Sequence, residues 1–164
     1  WAVLLWLNVL AARKLPVAEI MADHWGRYGR NYYSRHDYEG VDSDAANALM
    51  DDLRGRLSDL AGTTVAGLTV TSADEFAYDD PVDKSHSAGQ GIRISFTNGA
   101  RAVFRLSGTG TVGATIRIYL EQLETDTTKL HMAAEDALVN VRDAALALSD
   151  LAAKTGRVDP DVIT

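Results

Sequence analysis

The sequence predicts an α+β domain in which an antiparallel sheet is covered by helices on one face. The first observation is a switch of hydrophobic period between residues 65 and 120, where apolar and polar residues alternate as they do along half-buried strands. The second is a set of apolar stripes at helical spacing before and after that segment. Strands grouped together with helices on either side favour the α+β class.

The first third of the chain carries three predicted helices. The apolar run at residues 1–10 is interpreted as a buried helix, because it is too short to span a membrane. A second helix begins at Pro16, which suits a first helical turn, and is stopped by Gly26 and Gly29. A third helix, over residues 43–62, begins beside capping residues and ends at a glycine.

The middle of the chain predicts short strands, and the last part predicts a long helix. Strands are expected at residues 92–96, 101–106 and 115–121, where the pattern alternates. Asn98-Gly99 joins the first two as a hairpin turn, because both residues tolerate positive φ. Apolar residues at steps of four and three predict a helix over residues 134–152.

Composition and charge narrow the class of partner. The 164 residues carry 23 acidic and 16 basic side chains, a formal net charge of −7, and no cysteine. This balance argues against a nucleic-acid groove or an anionic membrane as a partner, and thiolate chemistry is excluded. The spacing of the four histidines, at positions 24, 36, 86 and 131, fits no common metal-ligand pattern.

The segment with the clearest chemical content is residues 105–117, Arg-Leu-Ser-Gly-Thr-Gly-Thr-Val-Gly-Ala-Thr-Ile-Arg. Its three glycines leave the backbone open to close approach, and successive amides in such a loop can form an anion-binding nest. Hydroxyl donors lie between the glycines, and Arg105 and Arg117 lie on the two flanking strands. Each guanidinium offers a planar, bidentate set of donors that suits a phosphate.

Two interpretations of this segment stay open on its residues alone. One is a phosphate-binding loop, and the other is a flexible glycine-rich connection between two solvated arginines. A nucleotide P-loop is excluded, because the Gly-Lys-Ser/Thr ending is missing and a strand follows instead of a helix.

The segment closely resembles the phosphate-binding loop in the last domain of phosphoglucomutases of the α-D-phosphohexomutase superfamily. Other stretches are also similar to that family, and residues 24–39 look like the segment joining its third and fourth domains. The resemblance implies a TBP-like C-terminal fold. It further implies that residues 1–28 are a helical remnant of the preceding domain with a hinge, and that residues 29–164 form the phosphate-binding domain.

Members of that family interconvert glucose 1-phosphate and glucose 6-phosphate through glucose 1,6-bisphosphate, with a phosphoserine and Mg²⁺. The resemblance implies that the last domain grips the non-reacting phosphate, here through Arg105, Ser107, Gly108, Thr109, Gly110 and Arg117. The sequence contains no segment like the family's reactive serine or its metal loop.

We therefore expect a C-terminal portion that is inactive alone, binds no metal or cofactor itself, and works with the N-terminal domains of a cytoplasmic enzyme. The expected partner is a phosphosugar, with neither nucleic acid nor membrane involved. The alternative hypothesis is a non-catalytic module, derived from a phosphohexomutase, that senses phosphosugars or binds proteins.

Overall fold

The computed structural model describes residues 1–110 and 113–164, and the side chains of all of these except residues 108–110. The described chain separates into two units: Trp1–Asn31 with Leu123–Met132, and Tyr32–Gln122 with Ala133–Thr164. The division into residues 1–28 and 29–164 that the family resemblance implies stays a proposal about domains.

The first unit contains two helices, α1 (Ala2–Arg13) and α2 (Val17–Tyr28). Helix α2 ends at Gly29, which has φ +82° and donates its N–H to the carbonyl of Trp25 at 2.8 Å. Gly26 lies inside α2, so the second of the two predicted stops is the real one. Helix α1 forms where it was predicted, and the described elements bury none of its residues. The expectation that this helix is buried relied on a cover from another part of a longer protein, and it stays a prediction.

The second unit is built on a sheet, to which the described residues contribute seven strands. In chain order the strands formed by the described residues are β1 (Arg30–Val41), β2 (Thr64–Val65), β3 (Leu68–Glu75), β4 (Tyr78–Asp79), β5 (His86–Ser87), β6 (Ile92–Phe96), β7 (Arg101–Gly110), β8 (Gly113–Glu124) and β9 (Val162–Ile163). The large sheet has the order β2-β3-β6-β7-β8-β1-β9, and β4 pairs with β5 apart from it.

Neighbouring strands of the large sheet run antiparallel. Direct register shows this for every neighbouring pair other than β8 and β1. For that pair, Gly113 at the start of β8 lies against Val41 at the end of β1. Gly29, just before β1, lies against Glu124 at the end of β8, so these two strands also run in opposite directions.

Helices cover one face of this sheet. They are α3 (Ser43–Gly55), α4 (Leu57–Leu60), α5 (Ala134–Ala137), α6 (Val139–Ser149) and α7 (Leu151–Thr155). Helices α3 and α6 pack on β7 in the middle of the sheet. The α+β class with one covered face is thus confirmed, although the helices predicted over 43–62 and 134–152 are each interrupted. Breaks occur at Arg56, Leu138 and Asp150.

The core lies between these helices and the sheet. Inward-facing side chains of the central strands are 0–3% exposed: Ile92, Ile94, Phe96, Ala102, Phe104, Ala114, Ile116, Ile118 and Leu120. They alternate with outward-facing polar residues, as the period of two predicted. The Asn98-Gly99 turn between β6 and β7 is also confirmed, with φ +79° at Gly99.

Strand β1 is the main element that the sequence did not predict. Residues 24–39 were interpreted as a joining segment, but Arg30–Val41 forms a twelve-residue strand between β8 and β9. Its inward side chains Tyr32 and Tyr38 are each 1% exposed, so they belong to the core. As a result, β1 brings the side chains of its other face beside the glycine-rich segment.

Candidate anion-binding site

The glycine-rich segment joins the two central strands β7 and β8. Arg105 lies directly opposite Arg117, and Ser107 lies directly opposite Thr115. The pairing then shifts register between Ser107 and Gly110, and Gly110 faces Gly113. The sheet register therefore places the two arginines side by side on neighbouring strands. Their convergence on the loop stays a prediction.

The predicted phosphate-binding residues between the arginines are described to different extents. Ser107 is half-buried on β7. Gly108, Thr109 and Gly110 continue the backbone of β7, and their side chains lie outside the described part of the structure. Thr111, one of the hydroxyl residues noted in the sequence, lies outside the described residues.

The cross-strand arginine pair is electrostatically unfavourable by itself. Like charges directly opposite each other on neighbouring strands destabilise a sheet. Arg105 is exposed and, within residues 1–110 and 113–164, makes no ion pair. An anion bound between the two guanidinium groups would offset this repulsion with charge-assisted hydrogen bonds.

Two other arginines on the same open face of the sheet are each neutralised by a carboxylate. Arg93 Nη2 lies 2.8 Å from Asp74 Oδ2. Arg101 Nε donates to Glu121 Oε2 at 2.7 Å, across the β7–β8 pair. Arg105 therefore differs from its neighbours in having its charge available.

Asp37 is a functional candidate that the sequence analysis missed. Its side chain is 4% exposed, with Oδ1 2.9 Å from Arg35 Nε and Oδ2 3.5 Å from Arg117 Nε. The N–H bonds are not aligned well enough for hydrogen bonds, so these contacts are ionic. The sequence indicates a role for Asp37 only once residues 30–41 are recognised as a strand, because Arg35 and Asp37 then lie on the same face of the sheet.

Gly91, just before β6, lies directly under the side chain of Arg105. Its φ is +147°, and a Cβ placed on it would lie 2.8 Å from Arg105 Cγ and 2.8 Å from the carbonyl oxygen of Phe104. Any side chain here would collide with both atoms. The absence of a side chain lets the stem of Arg105 lie directly over the backbone just before β6.

Gly113 fixes the base of the hairpin on the other side. Its φ is +97°, and a Cβ here would lie 3.0 Å from the carbonyl oxygen of Val41. Helix α3 begins two residues after Val41 and is capped by Asp42, whose Oδ1 accepts the N–H of Ala45 at 2.9 Å. The partially positive N-terminus of α3 thus starts close to the base of the hairpin.

A concavity of about 810 Å³ lies on the open face of the sheet beside Arg105. Aromatic and basic side chains dominate its lining, with Tyr33, Arg35, Phe76, Arg93, Arg105 and Tyr119 among them. Arg105 therefore borders both the hairpin loop and this open surface. Such a surface leaves room for a ligand larger than a phosphate ion.

The remaining candidates from the sequence do not form a site. Among the described residues, no group of three or more histidine or acidic side chains lies close enough together to hold a metal ion. His86 contacts Asp79, with Nδ1 2.6 Å from Oδ1, on the exposed β4–β5 hairpin. Among the described helices, none is both long and apolar enough to cross a membrane.

Comparisons with known proteins agree with the resemblance noted in the sequence. Residues 30–161 match the family model "Phosphoglucomutase-1, C-terminal domain". The chain is 53% identical to a phosphoglucomutase of Rhizobium radiobacter, with all of this chain aligned to 30% of that protein. It is 46% identical to human phosphoglucomutase-1, again with all of this chain aligned to 30% of its length.

A solved structure shows the same architecture. The open form of the exocytosis-sensitive phosphoprotein pp63/parafusin of Paramecium, described as a phosphoglucomutase, superimposes with a TM-score of 0.87 and 45% identity. All of this chain is covered, against 29% of that protein. The chain thus spans about 30% of the length of the relatives that it matches.

Proposed function

The chain belongs to the phosphoglucomutase family, and we propose that it is the substrate-phosphate-binding part of an enzyme that interconverts glucose 1-phosphate and glucose 6-phosphate. The observation that carries this proposal is the cross-strand pair Arg105–Arg117 at the neck of a glycine-rich hairpin. Two opposed like charges are costly in a sheet and suit a ligand with two or more negatively charged oxygens.

We propose that the phosphate is held by the six residues Arg105, Ser107, Gly108, Thr109, Gly110 and Arg117. Backbone amides and hydroxyl groups of the loop donate to the phosphate oxygens, and the two guanidinium groups neutralise its charge. A phosphate held at one end of a sugar places the other end at a defined distance for reaction. Because the contacts are to phosphate and not to the sugar ring, the same loop accepts either orientation of the substrate.

The reaction itself is assigned to other parts of the longer enzyme. The described residues offer no cluster of carboxylates that fits Mg²⁺. We therefore place the metal, the phosphoserine and the handling of glucose 1,6-bisphosphate outside this chain, and we propose that the chain alone is inactive. Its partners in this proposal are the N-terminal domains of the same protein and a phosphosugar.

We favour a cytoplasmic location, although relatives include both a cytoplasmic phosphoglucomutase of Bromus inermis and a chloroplastic one of Solanum tuberosum. The alternative of a non-catalytic sensing or protein-binding module gains no support from the comparisons, since those relatives are named as phosphoglucomutases.

The proposal is tested by titrating the chain with inorganic phosphate, glucose 1-phosphate, glucose 6-phosphate and glucose, followed by NMR. Shifts centred on residues 105–117 are expected with the three phosphates and not with glucose. Arg105→Ala and Arg117→Ala should each raise the dissociation constant about tenfold or more, the loss typical of a charge-assisted contact.

Arg101→Ala is the matched control, because Arg101 lies on the same strand and face but is paired with Glu121. Its binding should stay close to that of the unmodified chain. Equal losses in all three variants would indicate a diffuse charge effect instead of a site. No binding at millimolar phosphate would remove the basis of the proposed function.

A further inference from the structure

We propose that Asp37 is a positioning residue for the phosphate site: it holds the Arg117 guanidinium at Nε so that the Nη groups are presented to the phosphate. The inference rests on the proposed function and adds to it a residue outside the glycine-rich segment. It is carried by a row of three charged residues on adjacent strands, Arg105 on β7, Arg117 on β8 and Asp37 on β1.

Asp37 contacts the two arginines at their Nε atoms. Asp37 approaches Arg35 and Arg117 most closely at their Nε atoms, at 2.9 and 3.5 Å. Both Nε atoms are buried and have no hydrogen-bond partner among the described residues, so the Asp37 carboxylate is their close counter-charge. A guanidinium held at Nε keeps its two terminal nitrogens for another ligand, and that fork is the part suited to phosphate oxygens.

The Asp37 carboxylate is more deeply buried than either arginine. Asp37 is 4% exposed, whereas the side chains of Arg35 and Arg117 are 35% and 36% exposed. The carboxylate is therefore the fixed member of the group, and the arginines reach outward from it. A buried charge is tolerated when it is paired, so Asp37 and the two arginines constrain one another.

The charged side chains around Arg117 carry a net positive charge. Arg35, Arg105 and Arg117 contribute three positive charges and Asp37 one negative charge, which leaves a local charge of +2. This excess suits a phosphate dianion. It is found in a chain whose formal net charge is −7, so the arrangement of the arginines, and not the overall composition, makes the site attractive to anions.

Charge and position predict opposite effects when Asp37 is neutralised. If Asp37 acts through charge alone, its removal strengthens phosphate binding, because one repelling carboxylate is lost. If Asp37 positions Arg117, its removal weakens binding in spite of the gain in positive charge. The second effect prevails in our proposal, because two buried Nε–H groups would lose their counter-charge and the guanidinium groups would turn away to recover one.

The test compares Asp37→Asn with Glu121→Gln in the 164-residue chain, using inorganic phosphate and glucose 1-phosphate as probes. Both changes remove one negative charge from the same sheet face. Asp37→Asn leaves Arg35 and Arg117 without their carboxylate, whereas Glu121→Gln does so only for Arg101. Asp37→Asn should raise the dissociation constant about tenfold, and Glu121→Gln should leave it unchanged or lower it.

Two more measurements separate positioning from a general structural role. The Arg117 Nε–Hε resonance should shift in Asp37→Asn and stay in place in Glu121→Gln. Asp37→Glu keeps the charge but displaces the carboxylate, so it should also weaken phosphate binding. This milder variant decides the question if Asp37→Asn does not fold.

Each outcome has a separate meaning. Phosphate binding by a folded Asp37→Asn variant that equals or exceeds that of the unmodified chain overturns the positioning role and leaves the proposed function standing. Unchanged binding by Asp37→Glu overturns it as well. Failure of the unmodified chain to bind phosphate overturns the proposed function first, and the role of Asp37 with it.

Discussion

The arginines on the open sheet face show how strongly the role of a residue depends on its immediate neighbours. Arg93 and Arg101 each have a carboxylate of their own, and such half-exposed pairs contribute little to stability. Arg105 has no such partner among the described residues and lies opposite a second arginine. On this one face, Arg93 and Arg101 thus form surface ion pairs, whereas Arg105 is a candidate ligand for an anion.

Gly91 gives a prediction at the residue scale. Alanine at this position would place its Cβ 2.8 Å from Arg105 Cγ and 2.8 Å from the Phe104 carbonyl oxygen, so either the arginine or the strand must move. We expect Gly91→Ala to weaken phosphate binding several-fold and to lower the free energy of unfolding by more than about 1 kcal/mol. Phosphate titration and urea unfolding of the same sample measure the two effects.

Gly89→Ala is the matched control for this prediction. Gly89 has φ +65°, but a Cβ there meets nothing within 4 Å. The Gly89→Ala variant should therefore lose about 1 kcal/mol of unfolding free energy through backbone strain, and its phosphate binding should stay unchanged. Equal binding by both variants would show that the backbone under Arg105 does not determine where its guanidinium lies.

At the scale of elements, the helices on the covered face are shorter than their apolar stripes suggest. The stripe over residues 134–152 passes through two breaks, and the second is at Asp150, which has φ 51° and ψ 38°. Its N–H donates to the carbonyl of Leu146 and closes α6, and its own carbonyl accepts the N–H of Lys154 in α7. An aspartate in this left-handed conformation is strained. Its charge is unfavourable at the C-terminus of α6 but favourable at the N-terminus of α7, so the backbone strain is the main cost.

Asp150→Gly should therefore stabilise the protein by about 0.5–1 kcal/mol, because glycine adopts positive φ without strain. The same substitution at Asp143, an exposed residue inside α6, should destabilise it by about 1 kcal/mol. Thermal or urea unfolding of the two variants provides the comparison. Destabilisation by both would mean that the Asp150 side chain has a favourable role that outweighs its backbone strain.

The elements that the sequence predicted are those whose signal is local. Ile92–Phe96, the Asn98-Gly99 turn and the β7–β8 segment are adjacent in the chain, so alternation and turn chemistry identify them. Strand β1 was not predicted because its inward face carries tyrosines and a histidine instead of aliphatic residues, and because its partners β8 and β9 lie far along the chain. The arginines of the candidate site could therefore be proposed from the sequence, whereas Asp37 could be proposed only from the fold.

Considered as a whole molecule, the protein should lose stability on mild acidification. His36 is buried on the covered side of β1, and burial lowers its pKa below the ordinary value of 6.5, with the positive charge of Arg142 as the second cause. Because the unfolded chain takes up this proton first, the stability present above pH 6.5 falls as the pH drops toward the folded pKa.

His36→Gln should reduce this dependence between pH 7 and pH 5.5. Over the pH unit below 6.5, the free energy of unfolding of the unmodified chain should fall by at most about 1.4 kcal/mol more than that of His36→Gln, since one pKa unit corresponds to 1.36 kcal/mol. Carboxylates such as Asp161 and Glu75, whose pKa values are lowered from 3.8 and 4.5 by hydrogen bonds and arginine partners, lose their contribution only at lower pH.

Urea unfolding at several pH values measures the effect. Arg142→Met provides a second comparison, because it removes the neighbouring positive charge and should reduce the same dependence in part. A pH profile of His36→Gln that matches the unmodified chain would show that His36 is not the group responsible.

The position of β1 beside β8 also bears on the order of events when the chain folds. Strands β6, β7 and β8 follow one another closely, so they can pair early through short loops. Asp37 meets Arg117 only after a loop of about 80 residues has closed. Such distant contacts form slowly, because the chain loses the entropy of loop closure before the contacts contribute any stabilising energy. We therefore expect Arg105 and Arg117 to be paired before Asp37 reaches them, so that the candidate phosphate site is completed only when β1 joins the sheet.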